Sequence, residues 1–230
     1  MGPIGYADPH FAFNQRLQDY YVERAKGGIG LIITGVCTVN VDVEGIGSPG
    51  IPCVTKNPKA FVHNGNQMNE RIHAYGAKIF LQMTANAGRS TMPGMVQNYI
   101  APSVQENRFD PSLLHREMTK EEIRQYTGDF VKGAVIAKRA GFDGVEIHAV
   151  HEGYLLDQFA IALYNHREDE YGGSLENRLR FATDIVRGIK QACGPDFPVS
   201  LRFSLKSCMK GLRRGALPGE TYQEAGRDIE

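Results

Sequence analysis

The chain has 230 residues, with 26 lysines plus arginines against 26 aspartates plus glutamates, so its formal net charge is zero. That length suits one medium domain with a sizeable core. The balanced charge offers no basic excess for nucleic acid or an anionic membrane surface, and the longest apolar runs are too short to span a bilayer. The four cysteines (Cys37, Cys53, Cys193, Cys208) never fall in a Cys-x-x-Cys pair. This spacing argues against a zinc or thioredoxin-type centre, and with no basic-then-apolar leader the expected compartment is the reducing cytoplasm.

In chain order, helical spacing runs over residues 14–26 and stops at Gly27-Gly28. Residues 29–36 form a nearly continuous β-branched apolar run, the pattern of a strand buried on both faces. Residues 37–65, with prolines at 49, 52 and 58, read as loop, and a helix is expected over residues 67–75. A short apolar strand follows at 78–83. Residues 84–118 are long and irregular, as functional loops inside compact domains often are. Thr119 and Glu122 form a capping box for a helix with Ile123, Tyr126, Phe130, Val131, Ala134 and Ala137 on its inner stripe. Another strand follows, around Val145-Glu146-Ile147. Ser174 caps a further helix, a strand spans 198–203, and a last helical pattern begins at Tyr222.

The order helix, strand, helix, strand, with apolar strands, predicts parallel βα units. Turns before the strands are tight and loops after them are long, as in a (β/α)8 TIM barrel, whose functional loops sit at the strand C-termini. Gly45-x-Gly47-x-x-Gly50 matches the dinucleotide fingerprint in letters, but it leads into Ile51-Pro52 rather than a helix and is rejected. Eight strands need roughly 250 residues, and only four whole ones are visible. The expectation is a single domain over residues 1–230: an α/β, incomplete TIM barrel from the end of strand one to the start of helix five, a fragment lacking strand six onward.

Residues 141–159, GFDGVEIHAVHEGYLLDQF, place His148, His151, Glu152 and Tyr154 where a strand ends. Imidazole and phenol groups are hydrogen-bond donors, and convergent donors stabilise an oxyanion. Gly35, Gln82 and Arg202 stand at or near the ends of the other strands. A buried guanidinium needs an anionic or electron-rich partner. One glycine, one amide, a donor cluster and one arginine at successive strand ends point to a flat heteroaromatic ligand across the barrel mouth. A metal-assisted lyase or hydrolase using His148, His151 and Glu152 is the alternative on the same frame, although no third ligand has suitable spacing and no metal is expected. An inactive truncated piece is another.

Residues 141–148 with Gly153-Tyr154-Leu155-Leu156-x-Gln158-Phe159 resemble the fourth strand of Old Yellow Enzyme-type flavin oxidoreductases. Asn165-x-Arg167-x-Asp169-x-Tyr171-Gly172-Gly173-Ser174-x-x-Asn177-Arg178 is similar to that family too, as are Gln82 followed by Asn86-Ala87-Gly88-Arg89, and Met1-Gly2 as the end of a first strand. The branch it resembles contains 2-enoate reductases, 2,4-dienoyl-CoA reductases and bile-acid NADH:flavin oxidoreductases. The resemblance implies an FMN-binding TIM barrel that passes hydride from NAD(P)H through the flavin to the C=C bond of a small α,β-unsaturated carbonyl compound. It implies that Gln82 and Arg202 hold the flavin pyrimidine edge, that the backbone at Met1, Gly2 and Gly35 lines the ring, that His148 and His151 hold the substrate carbonyl, and that Tyr154 protonates the α-carbon. A 4Fe-4S cluster belongs only to longer members. Homo-oligomerisation is left open, as is the choice of NADH or NADPH. The resemblance departs at Asn86, where many relatives carry His, and at Glu152, an extra residue before Gly153. Residues 165–178 read as architecture more than catalysis. Arg89 is open to either cofactor or substrate.

Overall fold

The computed structural model describes residues 6–45, 50–150, 154–204, 208–209 and 217–224. Helix α1 (Gln15–Lys26) starts where the Asn14 side chain accepts the Leu17 N–H at 2.9 Å, and it buries Leu17, Tyr21, Val22 and Ala25. Strands β1 (Leu31–Ile33) and β2 (Cys37–Thr38) follow. Helix α2 (Pro58–His73) begins nine residues earlier than the periodicity predicts. Asn57 caps it and Pro58 occupies its first turn, a position where proline's fixed φ favours a helix rather than breaking one.

Strand β3 (Lys78–Thr84) leads into an irregular excursion containing a 3-10 turn, Gly88–Ser90, and a small sheet of β4 (Ile100–Ala101), β5 (Gln105–Glu106) and β6 (Leu114–Glu117) in the order β4-β6-β5. The predicted capping box opens α3 (Lys120–Arg139): Glu122 N–H donates to Thr119 Oγ1 at 3.2 Å and Thr119 N–H donates to Glu122 Oε2 at 2.9 Å. Then come β7 (Gly144–Ala149), the short α4 (Leu155–Ala160), and α5 (Leu175–Cys193), capped by Ser174 as expected. Strand β8 (Val199–Phe203) completes the main sheet, and β9 (Cys208–Met209) pairs antiparallel with β10 (Gln223–Glu224). The helix expected from Tyr222 is therefore a strand at residues 223–224. Residues 225–230 lie outside the described residues.

The main sheet runs β1-β3-β7-β8, all parallel, with β2 also on β3. Its strands appear in chain order with helices between them, the arrangement of half a TIM barrel. Alternate residues divide into two faces. Ile79, Leu81, Met83, Val145 and Ile147 pack into the core with Phe61, Met68 and Ile72 of α2, Phe130 of α3, and Phe181, Ile185 and Ile189 of α5. Each such side chain contributes roughly 1.5–3 kcal/mol by leaving water. Phe80, Gln82, Glu146, His148 and Arg202 belong to the opposite, concave face.

The run 29–36 is not buried on both faces, contrary to its composition. Ile29, Leu31 and Ile33 are 44, 48 and 39% exposed while Ile32 is buried. β1 is an edge of the described sheet, so its concave-side residues have no strand opposite. Leu201 and Phe203 on the other edge, β8, are exposed on the helix side. Among the described residues, no helix is long and apolar enough to cross a membrane.

Below the strands, Asp143 ties three elements together. Its carboxylate accepts from His73 of α2 at 2.8 Å, Lys78 at 2.9 Å and the Ile79 N–H at 2.9 Å. Burial pushes this carboxyl up, but the Ile79, His73 and Lys78 donors outweigh it and hold it below the ordinary value. A depressed carboxyl contributes stability that is present above its unfolded pKa and lost as pH falls through its folded one. Asp143→Ala is expected to cost about 1–3 kcal/mol in urea unfolding at pH 7, because it strands the Ile79 N–H. The deficit should narrow below pH ~4.

Candidate active site

The C-terminal ends of β3, β7 and β8 bring the predicted site residues together. The β3–β7 register pairs Gln82 with Glu146, and the β7–β8 register pairs His148 with Arg202, so these four lie side by side in two rows on the concave face. Gln82 donates from Nε2 to Glu146 Oε1 at 2.6 Å. Gln82, Glu146 and Arg202 line a cavity of about 410 Å³ together with Thr34, Ile33 and Tyr21. Tyr154 stands immediately before α4 and folds back over the end of β7. Its ring meets that of His148 edge-to-face, with centroids 4.4 Å apart. Burial raises the Tyr154 phenol above its ordinary value, and the positive charge of Arg202 acts in the opposite direction.

Gly35 lies in a two-part strand. β1 stops at Ile33, Thr34 Oγ1 takes the Gln82 N–H at 2.9 Å, and the chain rejoins β3 as β2. The Gly35 N–H is already used, donating to Tyr21 Oη at 2.6 Å, and burial pushes the Tyr21 phenol up to about 12. The Gly35 N–H is therefore not available to a ligand. Met1, Gly2, His151 and Glu152 lie outside the described residues. Among the described residues no three His, Cys, Asp or Glu side chains gather where they could hold a metal.

The loop after β3 is positioned by groups that the sequence pattern only hinted at. Gln158 of α4 accepts the Arg89 N–H at 3.1 Å and donates to the Ala87 carbonyl at 3.0 Å. Gly88 has φ +52°, and a Cβ there would lie 2.4 Å from Gln158 Oε1, so only glycine fits. Arg89, open to cofactor or substrate on sequence grounds, is 1% exposed and lies over the Tyr164 ring at 4.7 Å. Asn86, the departure from the commoner histidine, has φ +64°. It donates to Tyr126 Oη at 3.0 Å and to the Asn40 carbonyl at 3.2 Å, while its own carbonyl accepts the Leu155 N–H at 3.1 Å. Asn86 thus joins the β3 loop directly to the residue after Tyr154.

Residues 165–178 act as architecture. Asn165 donates to the Phe159 and Tyr171 carbonyls at 2.7 Å each, and the buried Arg167 forks onto Asp169 and reaches the Pro102 and Met118 carbonyls. Arg178 joins through the Ala160 and Gly173 carbonyls. A Cβ on Gly172 would lie 2.0 Å from the Arg167 carbonyl oxygen.

Residues 5–222 match the NADH:flavin oxidoreductase / NADH oxidase family. The chain belongs to that family. It is 57% identical over all 230 residues to a cinnamate reductase from Clostridium sporogenes, covering 35% of that protein. It is 41% identical over 93% of its length to an NADH oxidase from Thermoanaerobacter brockii, covering 33% of that protein. Among solved structures, an Old Yellow Enzyme homologue from Zymomonas mobilis superposes with a TM-score of 0.77 at 30% identity, over 92% of this chain and 60% of that one. The chain thus spans about a third of the length of these two curated relatives. The incomplete TIM-barrel architecture expected from the strand order is the architecture found.

Asn86 also ends a buried network. Tyr126 Oη donates to Glu44 Oε2 at 3.1 Å, and Glu44 is fully buried, with its carboxyl pushed up to about 7 by that burial. A carboxyl raised in the folded state contributes stability that is full below its unfolded pKa and declines as pH rises through its folded one. Stability should therefore fall between pH ~4.5 and ~7.5 by at most about 3 kcal/mol from this group, at 1.36 kcal/mol per pH unit. Glu44→Gln, which cannot ionise, should flatten that slope in pH-resolved thermal melts. An unchanged slope would rule out Glu44 as its source.

Proposed function

We propose that this chain supplies the first half of the active site of an FMN-dependent ene-reductase. In this reading hydride from NAD(P)H reaches the β-carbon of an α,β-unsaturated carbonyl compound and a proton reaches its α-carbon. The observation that carries the proposal is the convergence of one amide, one imidazole, one phenol and one guanidinium on the concave strand ends of a barrel half. Membership of a flavin oxidoreductase family and the likeness to a cinnamate reductase support it, and make an aryl-substituted enoate the first substrate class to test.

The donor set fits a flavin. The pyrimidine edge of the isoalloxazine ring offers carbonyl oxygens, an imide N–H and an N1 that gains negative charge on reduction. Gln82 keeps its amide oxygen and a second N–H beyond its bond to Glu146, and Arg202 is a permanent cation. In the proposed complex Gln82 and Arg202 hold that edge, while the backbone at Gly35, Met1 and Gly2 lines the ring. When bound, FMN supplies the two-electron chemistry; the protein supplies orientation and electrostatics.

His148, with His151, donates hydrogen bonds to the substrate carbonyl oxygen and stabilises the charge that grows there as the C=C π bond is reduced. Tyr154 Oη gives its proton to the α-carbon. Burial favours the neutral phenol, so the proton is present at neutral pH, and the Arg202 charge favours the phenolate left behind. Solvent returns the proton before the next turnover.

Tyr154→Phe in the full-length enzyme should slow alkene reduction by ~10²–10⁴. Reduction of the flavin by NAD(P)H should proceed at the wild-type rate. Stopped-flow measurement of the two half-reactions separates these effects. If both are unchanged, Tyr154 is not the acid.

A further inference from the structure

The roles assigned above use Gln82 and Arg202 but not the carboxylate beside them. Glu146 stands between Val145 and Ile147 in β7, is 6% exposed, and lines the same cavity. Placing a carboxylate there is unfavourable without a compensating partner. Its partner is Gln82, 5% exposed, whose Nε2 donates to Glu146 Oε1 at 2.6 Å.

A primary amide has two unlike ends, and a carboxylate oxygen only accepts. The Gln82 amide must therefore turn its NH2 toward Glu146. Rotating it would set oxygen against oxygen in a buried site, where an unmade hydrogen bond is costly. The Gln82 backbone is held as well, by its N–H to Thr34 Oγ1 at 2.9 Å and by the β3–β7 register. With backbone and amide both fixed, the side chain presents one defined acceptor, Oε1, and one remaining N–H.

We propose that Glu146 is a positioning residue that fixes the direction of the Gln82 amide, so that the site selects a ring bearing an imide N–H beside a carbonyl. The inference rests on the flavin reading and deepens it. In that reading Oε1 accepts from flavin N3–H, and the second Nε2 hydrogen goes to the adjacent carbonyl. The selectivity follows from the carboxylate behind the amide rather than from the amide alone. A glutamine backed by a group able to both donate and accept could turn to suit a ring of either polarity.

The test compares FMN with 3-deaza-FMN, in which a CH2 group replaces N3–H and removes the donor. Binding to the flavin-stripped full-length protein is followed by quenching of flavin fluorescence. Wild type should bind the analogue about tenfold more weakly, the effect of one buried hydrogen bond. In Glu146→Gln, nearly the same size, the partner amide can present either end. The Gln82 amide can then rotate toward a ring carbonyl, and the penalty should fall below about threefold. Glu146→Leu removes the partner and should behave likewise, and circular dichroism checks that both variants are folded. If both keep the wild-type penalty, Glu146 does not direct the amide and the inference is overturned. If wild type shows no penalty while binding FMN, Gln82 does not read N3–H and the inference also fails. Failure of the wild type to bind FMN at all overturns the flavin reading itself.

Discussion

The site depends on the register between β3 and β7. These two strands form the middle of the main sheet, and their pairing runs from Phe80 opposite Gly144 to Met83 opposite Ile147. Because side chains alternate, a slip of one residue in either strand would send its polar residue, Gln82 or Glu146, into the apolar core and bring its apolar neighbour, Leu81 or Val145, to the concave face. The core prevents it. Ile79, Leu81, Met83, Val145 and Ile147 are all fully buried against the helices, so a slipped strand would lose the burial of its whole apolar set. Side-chain placement at the strand ends is thus a by-product of core packing one residue away.

The loops beyond those strands have no such repeat to hold them and use polar side chains instead. The β3 loop and α4 are joined at two points, by Gln158 to the Ala87–Arg89 backbone and by the Asn86 carbonyl to the Leu155 N–H. Tyr154 immediately precedes Leu155, so the proposed acid is held from behind by a residue on another strand's loop. Asn86 supplies this while at φ +64°, a conformation asparagine tolerates better than most side chains. Its amide also reaches Tyr126 and through it Glu44, which anchors the loop in the interior. An imidazole there could not present both its hydrogen bonds from one nitrogen as the Asn86 amide does, which gives the departure at this position a structural meaning.

Much of this was legible in the sequence because local chemistry and global fold agree. Thr119 with Glu122, and Ser174, are helix caps in both the letters and the structure. The strands at 78–84 and 144–149 are apolar on the core side and carry Gln82, Glu146 and His148 on the other. The misreadings have specific causes. Pro58 reads as a loop residue by composition, but proline also suits a first helical turn, and α2 starts there. The composition of residues 29–36 reports intrinsic strand preference, whereas their exposure reflects which strands lie beside them. Glu146 was absorbed into a strand signature, yet a lone carboxylate between Val145 and Ile147 was itself the signal. Gln158 lay inside a recognised motif, but its target is 69 residues away in sequence, and no local pattern encodes that contact.

The two contacts proposed for the ring edge differ in kind. Gln82 and Glu146 belong to inner strands, each flanked by neighbours on both sides and backed by the helix layer. Arg202 belongs to β8, an edge of the described sheet, paired on one side only, with Leu201 and Phe203 uncovered behind it. Hydrogen-bond geometry for a ring edge tolerates little displacement, since such bonds weaken steeply with angle. A guanidinium acting through charge tolerates more, because Coulomb attraction falls off gradually with distance. In the proposed complex Gln82 supplies the directional contact and Arg202 the electrostatic one. In the proposed mechanism Arg202 has a double duty, with its charge felt both by the ring edge and by the Tyr154 phenol.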